Sequence, residues 1–186
     1  TYTWDYAYGA PAQGGGGPHA VTSTGPRSYT YYANGNMTVM TDSSKSLTRT
    51  IDWNEDNRIT STTDVTDGTP TVTSYVYDDT GSRIIKNGKY GEVLYVNSNY
   101  TVRNNDLISS HIYAGNTRVA TRLVARQESG STYTDVLKGI YYYHGDHLGS
   151  SSVVTQTTGG FHEHLEYFPY GETWVQDKVS GDIELP

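Results

Sequence analysis

The stretch Tyr75-Val76-Tyr77-Asp78-Asp79-Thr80-Gly81-Ser82-Arg83-Ile84-Ile85-Lys86 decides the fold. Two tyrosines at alternate positions put both rings on one face of a β-strand. The polar residues and glycine after them admit a tight turn with a positive φ. The chain then returns antiparallel through a second apolar run. An isolated hairpin of this kind is marginal in water, so it needs neighbours that pair along its edges.

Those neighbours are written upstream. Tyr29-Thr30-Tyr31-Tyr32-Ala33-Asn34-Gly35-Asn36 has the same layout and runs into Met37-Thr38-Val39-Met40. Ile51-Asp52-Trp53-Asn54-Glu55-Asp56-Asn57-Arg58-Ile59 repeats it with asparagine in place of glycine. Aligned on Tyr31, Trp53 and Tyr77, the steps are 22 and 24 residues, the spacing of a repeated supersecondary unit whose copies stack. In this alignment Arg58 and Arg83 are read as equivalent residues, tying neighbouring turns together by charge-assisted hydrogen bonds with the Asn and Asp side chains.

The pattern continues more weakly. Val93–Val96, Tyr100–Val102, Leu107–Tyr113 and Arg118–Arg126 read as strands, the last because its polar and apolar residues alternate between the Gly115-Asn116 turn and Gly130. Gln127–Thr134 reads as a polar turn or loop. Beyond it lie Ile140–His144, Val153–Thr155 and Phe161–Tyr167, with turns at Gly159-Gly160 and at Phe168-Pro169-Tyr170-Gly171-Glu172. No stretch carries a three-turn amphipathic helix. The expectation is an all-β chain of stacked antiparallel hairpins. It divides into 1–27 (a strand and a flexible Gly14–Gly17 loop), a repeat array over 28–126, a denser segment over 127–176 and a polar tail over 177–186.

Composition fits this reading. Of 186 residues, only 33 are Leu, Ile, Val or Phe, about 18%, under the ~20% that accompanies disorder. Yet there are 18 Tyr, 3 Trp and 26 Thr, and disordered chains are poor in such residues. Tyr and Thr suit a pleated surface that is half packed and half hydrogen-bonded. A net charge of −7 disfavours a broad phosphate-binding footprint, so no nucleic-acid partner is expected. Cysteine is absent, which excludes disulfides and thiolate chemistry. No apolar run reaches the ~18 residues of a membrane-spanning helix.

The repeats resemble the tyrosine-aspartate (YD) repeat of Rhs proteins, found also in the C component of insecticidal toxin complexes and in teneurins. Tyr32 stands where that repeat has aspartate, and Trp53-Asn54 replaces its Tyr-Asp pair. A longer match is Tyr142-Tyr143-His144-Gly145-Asp146-His147-Leu148-Gly149-Ser150 with Tyr167-Phe168-Pro169-Tyr170-Gly171-Glu172 downstream. It looks like the Rhs segment just before the end of the conserved core. The resemblance covers roughly residues 28–176. It implies a β-sheet strip coiled into a hollow shell around a C-terminal toxin or other cargo, secreted or displayed on a bacterial surface by a secretion system and used in interbacterial competition. It also implies an aspartate-dependent self-cleavage at Asp-Pro-containing motifs. The sequence ends at Glu184-Leu185-Pro186 before such a motif, so this segment is expected to be a non-catalytic, cofactor-free part of the wall, its partners being the rest of the shell and the enclosed polypeptide.

Chemistry competes with this scaffold reading at a few places. His144, His147, His162 and His164 invite a metal site. His162 and His164 would share a face of a regular strand, but the His-x-x-His spacing crosses a glycine-containing turn instead of a helix. Asp78/Asp79 and Glu163/Glu166 are the carboxylate pairs that a glycosidase reading would use. A tyrosine-rich surface for carbohydrate or protein is the alternative function. The structural reading assigns Tyr29, Tyr31, Trp53, Tyr75 and Tyr77 to an aromatic ladder, and Gly35, Asn36, Asn54, Arg58, Asp78, Gly81 and Arg83 to turns. It assigns Tyr143, His144, Asp146, His147, Leu148, Gly149, Ser150, Pro169, Gly171 and Glu172 to the core motif.

Overall fold

The computed structural model describes residues 5–9, 17–146, 149–167 and 173–179. Among them every regular element is a strand, sixteen in all. Chain contacts divide the molecule into two compact units, 1–92 and 93–186.

The first unit contains β1 (Tyr6–Tyr8), β2 (Val21–Thr24), β3 (Arg27–Tyr31), β4 (Met37–Asp42), β5 (Leu47–Trp53), β6 (Ile59–Thr66), β7 (Thr69–Tyr77) and β8 (Arg83–Gly88). Each strand pairs antiparallel with the next. Alternation gives the sheet two unlike faces. Tyr29, Met40 and Arg49 stand side by side in register on one face, as do Arg27, Asp42 and Leu47. There Arg27 Nε donates to Asp42 at 3.0 Å, and Arg49 grips Asp64 with two bonds of 2.6 Å. The opposite face is a ladder of small hydroxyls, with Ser28–Thr41 at 2.6 Å and Thr30–Thr38 at 2.8 Å. Cross-strand pairs of this sort contribute roughly 0.2–1 kcal/mol each, so the sheet is held by many modest contacts and few large ones.

The second unit begins within β9 (Gly91–Asn97) and continues through β10 (Tyr100–Arg103), β11 (Leu107–Ala114), β12 (Thr117–Ser129), β13 (Thr132–Gly145), β14 (Ser151–Gln156), β15 (Phe161–Tyr167) and β16 (Thr173–Lys178), again paired in sequence order. The core lies here. Leu123, Tyr141 and Val154 are buried together, with Leu107 and Tyr143 against them. Ile108 and Val124, paired across β11 and β12, are buried on the other face.

The loop expected over Gln127–Thr134 is instead the tip of a long hairpin. Strand pairing runs out to Ser129↔Thr132. Gly130, at φ +61°, allows the reversal, and Arg126 clasps Asp135 across the strands at 3.0 and 3.3 Å. Polar composition marked these residues as exposed, but exposure on both faces is compatible with a strand when main-chain pairing is kept.

Candidate functional site

The repeat junctions are the most regular feature of the molecule. Among the described residues five turns share one backbone pattern, in which the fourth residue donates to the carbonyl of the first, and the first donates to the carbonyl of the fifth. Their first and fifth residues are Tyr32 and Asn36, Asn54 and Arg58, Asp78 and Ser82, Asp146 and Ser150, and Gln156 and Gly160. The fourth residue has a positive φ each time: Gly35 +92°, Asn57 +59°, Gly81 +89°, Gly149 +86° and Gly159 +77°. Asparagine tolerates this conformation better than other side-chain-bearing residues. Among the described residues only one per turn is left-handed, which fits a longer hairpin loop with a bulge and not a two-residue turn, where two would be needed.

The first turn residue also caps. Asp78 Oδ1 accepts from Ser82 N at 2.8 Å and from Thr80 Oγ1 at 2.7 Å. Asn54 Oδ1 accepts from Asp56 N and Arg58 N, and Asp146 Oδ1 accepts from Ser150 N at 2.9 Å. These bonds stabilise the ionised form, so the Thr80 hydroxyl and the Ser82 amide hold Asp78 below the usual carboxylate range. Tyr32 has no carboxyl to offer, and there Asn34 Oδ1 accepts from Asn36 N at 3.2 Å instead. The repeat therefore tolerates its missing aspartate by moving the cap two residues along.

Every one of these turns is flanked by a bulge. The residue before the turn pairs with the one after it, as in Tyr31↔Met37, Trp53↔Ile59, Tyr77↔Arg83 and Gly145↔Ser151, and the ladder then skips a residue. Consequently Arg83 corresponds to Ile59 and Met37, while Arg58 corresponds to Ser82 and Asn36. The two arginines are one position out of register, Arg83 standing opposite Tyr77 where Ile59, not Arg58, stands opposite Trp53, so they are not the equivalent residues of the sequence reading. Their roles differ accordingly. The Arg58 guanidinium reaches forward to the Asp78 carbonyl at 3.5 Å and lies 5.9 Å from the centre of the Tyr77 ring. Arg83 lies 5.0 Å over Tyr75 within its own hairpin.

Successive hairpins are fastened by the aromatic residue before the turn. Trp53 Nε1 donates to the Met37 carbonyl at 2.7 Å, and the Tyr77 hydroxyl to the Ile59 carbonyl at 2.9 Å. In each case the acceptor is the first residue of the return strand in the preceding repeat. Tyr167 does the same to Ser151 at 3.3 Å, and Tyr31 reaches Val21 at 2.7 Å. Asn57 Oδ1 adds a second tie, accepting from Asn34 and Asn36 at 2.8 Å each.

The histidines are dispersed. His144 Nε2 lies 3.0 Å from Thr155 Oγ1 across β13 and β14. His162 is fully buried with its ring 4.6 Å from that of Tyr141. His164 stands 3.4 Å from Glu166 and 3.7 Å from Asp177. The expectation that His162 and His164 share a face fails because His162 is the residue skipped by the bulge between Thr155↔Phe161 and Val154↔Glu163. The insertion turns it onto the face of Glu163 and the Val154–Tyr141 cluster, leaving His164 on the other. Among the described residues no three metal-ligating side chains come together. His147, Leu148, Pro169, Gly171 and Glu172 lie outside the described residues. The carboxylate pairs are equally separated in role. Asp78 caps its turn, Glu163 accepts from Gln176 at 2.8 Å, and Glu166 faces His164.

One cluster escaped the sequence reading. His111 Nδ1 lies 3.0 Å from Thr121 Oγ1, which also accepts from the Tyr143 hydroxyl at 3.0 Å. Thr121 is fully buried and His111 nearly so, and Arg118 stacks 4.4 Å over the Tyr143 ring. Burial, and secondarily the Arg118 charge, lowers the His111 pKa. Its members come from β11, β12 and β13, so only strand register brings them together.

No protein-family model matches this chain, and neither does any curated protein. Solved structures do match. The crystal structure of TcdB2-TccC3-TEV aligns with a TM-score of 0.54 and 18% identity, over 82% of this chain and 10% of that one. TcdB2-TccC3-Cdc42 gives 0.54 and 17%, and TcdB2-TccC3 without its hypervariable C-terminal region 0.53 and 18%, at the same coverage. These are Tc toxin structures with an Rhs/YD shell. The fold is Rhs-like. At this identity the likeness is one of fold, and the chain spans about a tenth of the length of the structures it matches.

Proposed function

We propose that this chain is a non-catalytic segment of an Rhs-type shell wall whose task is to sequester a polypeptide, a toxin or equivalent cargo, from its surroundings in a secreted or surface-displayed particle. The observation that carries the reading is the repeated fastening of each hairpin to the one before it, Trp53 to Met37 and Tyr77 to Ile59. Such bonds make a strip of hairpins behave as continuous sheet, which is the mechanical requirement of a wall. Support also comes from the Rhs-like fold and from the engagement of Asp78 and Asp146 in turn capping. A barrier does its work by geometry: main-chain hydrogen bonds along the strip leave no gap for a chain to escape, and the half-buried aromatic face keeps the strip ordered.

The test is native mass spectrometry of the protein isolated from its own cells, followed by denaturing intact-mass measurement on the same sample. A particle far heavier than 20.5 kDa that separates into this polypeptide, alone or within a longer one, plus other chains supports enclosure and weighs the cargo. A folded 20.5 kDa monomer overturns it in favour of a carbohydrate- or protein-binding β-repeat module.

A further inference from the structure

The face of β3, β4 and β5 contains a hollow of about 260 Å³ that the repeat architecture does not require. Its floor is apolar: Met37, Met40, Leu47 and Ile51, with Tyr29 at one side. Regular alternation would put residues 37 and 40 of one strand on opposite faces. They share a face because the bulge sets a two-residue step on β3 against a three-residue step on β4, Tyr29↔Met40 and Tyr31↔Met37. Val39 pairs with Thr30, and Thr38 turns the same way, its hydroxyl bonded to that of Thr30. Both point away from the methionines, and Ile51, itself buried, contributes its edge to the lining.

Three cationic side chains and one carboxylate line this hollow in a chain of net charge −7. Arg27 is held by Asp42 and Arg49 by Asp64. Lys45, exposed on the turn between β4 and β5, makes no ion pair among the described residues. The chain has two methionines, and both line the hollow. Methionine is the apolar residue that adapts to varied partners and is over-represented at surfaces that bind many sequences. The volume falls below the roughly 300–1,000 Å³ typical of pockets for drug-sized ligands, but it accommodates one large side chain.

We infer that this hollow binds an extended polypeptide, taking one long aliphatic or aromatic side chain onto the Met37–Met40–Ile51 floor and setting a flanking carboxylate against Lys45. The site is sequence-tolerant by construction, since a flexible apolar floor and one mobile ammonium fix a charge-plus-apolar pattern and no specific residue. It would serve as a contact for cargo if the wall reading holds, but it depends only on local geometry in β3–β5.

The experiment labels the ε-methyl carbons of Met37 and Met40 with ¹³C in the full chain and tracks both resonances during titration with acetyl-Asp-Leu-Asp-amide. Acetyl-Asp-Gly-Asp-amide and acetyl-Lys-Leu-Lys-amide are the controls. Both methyl signals should move together and saturate with the first peptide and stay in place with the glycine control. Binding should weaken about twofold to fivefold in Lys45→Glu, the upper part of what an exposed charge pair supplies. Because Lys45 is exposed, this variant keeps the fold, which an unchanged thermal midpoint verifies. Static methyl signals, equal response to the lysine-flanked peptide, or unchanged affinity in Lys45→Glu each overturn the proposal. So does a shift that depends on protein concentration alone, which would mean that a second copy fills the hollow. None of these results bears on the particle mass, so this inference and the wall reading fail separately.

Discussion

The Tyr77 hydroxyl donates to the Ile59 carbonyl at 2.9 Å, eighteen residues upstream in the preceding repeat. The ring packs half-buried while its polar tip satisfies a main-chain acceptor, so one side chain serves both the sheet face and the junction between hairpins. Trp53 does the same with different chemistry, an indole N–H in place of a phenol. In the first unit this position holds an aromatic ring with a donor at its edge each time, Tyr31, Trp53 and Tyr77, and the indole N–H of Trp53 shows that the donor and not the phenol is what the junction uses.

Removing only the donor tests that claim. Tyr77→Phe should lower stability by about 1 kcal/mol, the net value of a typical hydrogen bond. Tyr77→Ala should cost about 3 kcal/mol, the bottom of the range for losing an aromatic ring because the residue is half-buried. Urea denaturation at constant m-value checks both. Tyr133→Phe, at a ring 62% exposed, is the control and should leave the midpoint in place.

Gly81 and Gly35 have matching φ values but different surroundings. A Cβ on Gly81 would meet the Arg58 guanidinium at 2.5 Å, whereas one on Gly35 meets nothing within 4 Å. Gly35→Ala should therefore cost only the backbone strain, about 1–2 kcal/mol. Gly81→Ala should cost more, because Arg58 must leave the Asp78 carbonyl. The excess should shrink when Gly81→Ala is made in an Arg58→Ala background, and thermal melts of the four proteins would read it. Equal costs at the two glycines would remove Arg58 from the junction.

Acid should act first on His111. Its folded pKa lies below the ordinary histidine value of about 6.5, so the unfolded chain binds the proton more readily. Stability must then fall as pH drops below about 6.5 and level off below the folded pKa. The thermal midpoint measured from pH 7.5 to 5 should show this slope, and His111→Gln should flatten it. A slope unchanged in His111→Gln would assign the effect elsewhere.

A second acid limb belongs to the turn and ion-pair carboxylates. Asp78 is held low by Thr80 and Ser82, Asp42 by Ser44 and then Arg27, and Asp64 by Arg49. Each contributes stability that is present above the ordinary carboxylate range and lost as pH falls through its lowered folded value. Asp78→Asn should keep most of the capping and weaken the limb, since an amide oxygen accepts the same bonds without titrating. Asp78→Ala should lower the midpoint at neutral pH as well. Melting curves between pH 5 and 2 separate the two.

Much of this architecture was legible in the residues themselves. Alternating Tyr29 and Tyr31, then Tyr75 and Tyr77, announced strands with an aromatic face, and Gly35 and Gly81 announced turns needing a positive φ. These are local properties, set by side-chain periodicity and backbone sterics within a few residues, so a linear reading captures them. Register is different. Whether His162 shares a face with His164 depends on a one-residue bulge that composition does not reveal. The His111–Thr121–Tyr143 cluster and the hollow between Met37 and Met40 exist only because three strands and a skipped residue bring distant positions together. Hairpins, turns and their repetition follow from the order of residues along the chain. Which side chains meet across them follows from strand pairing, because each bulge inverts the facing of the residues beyond it and pairing joins residues far apart in the chain.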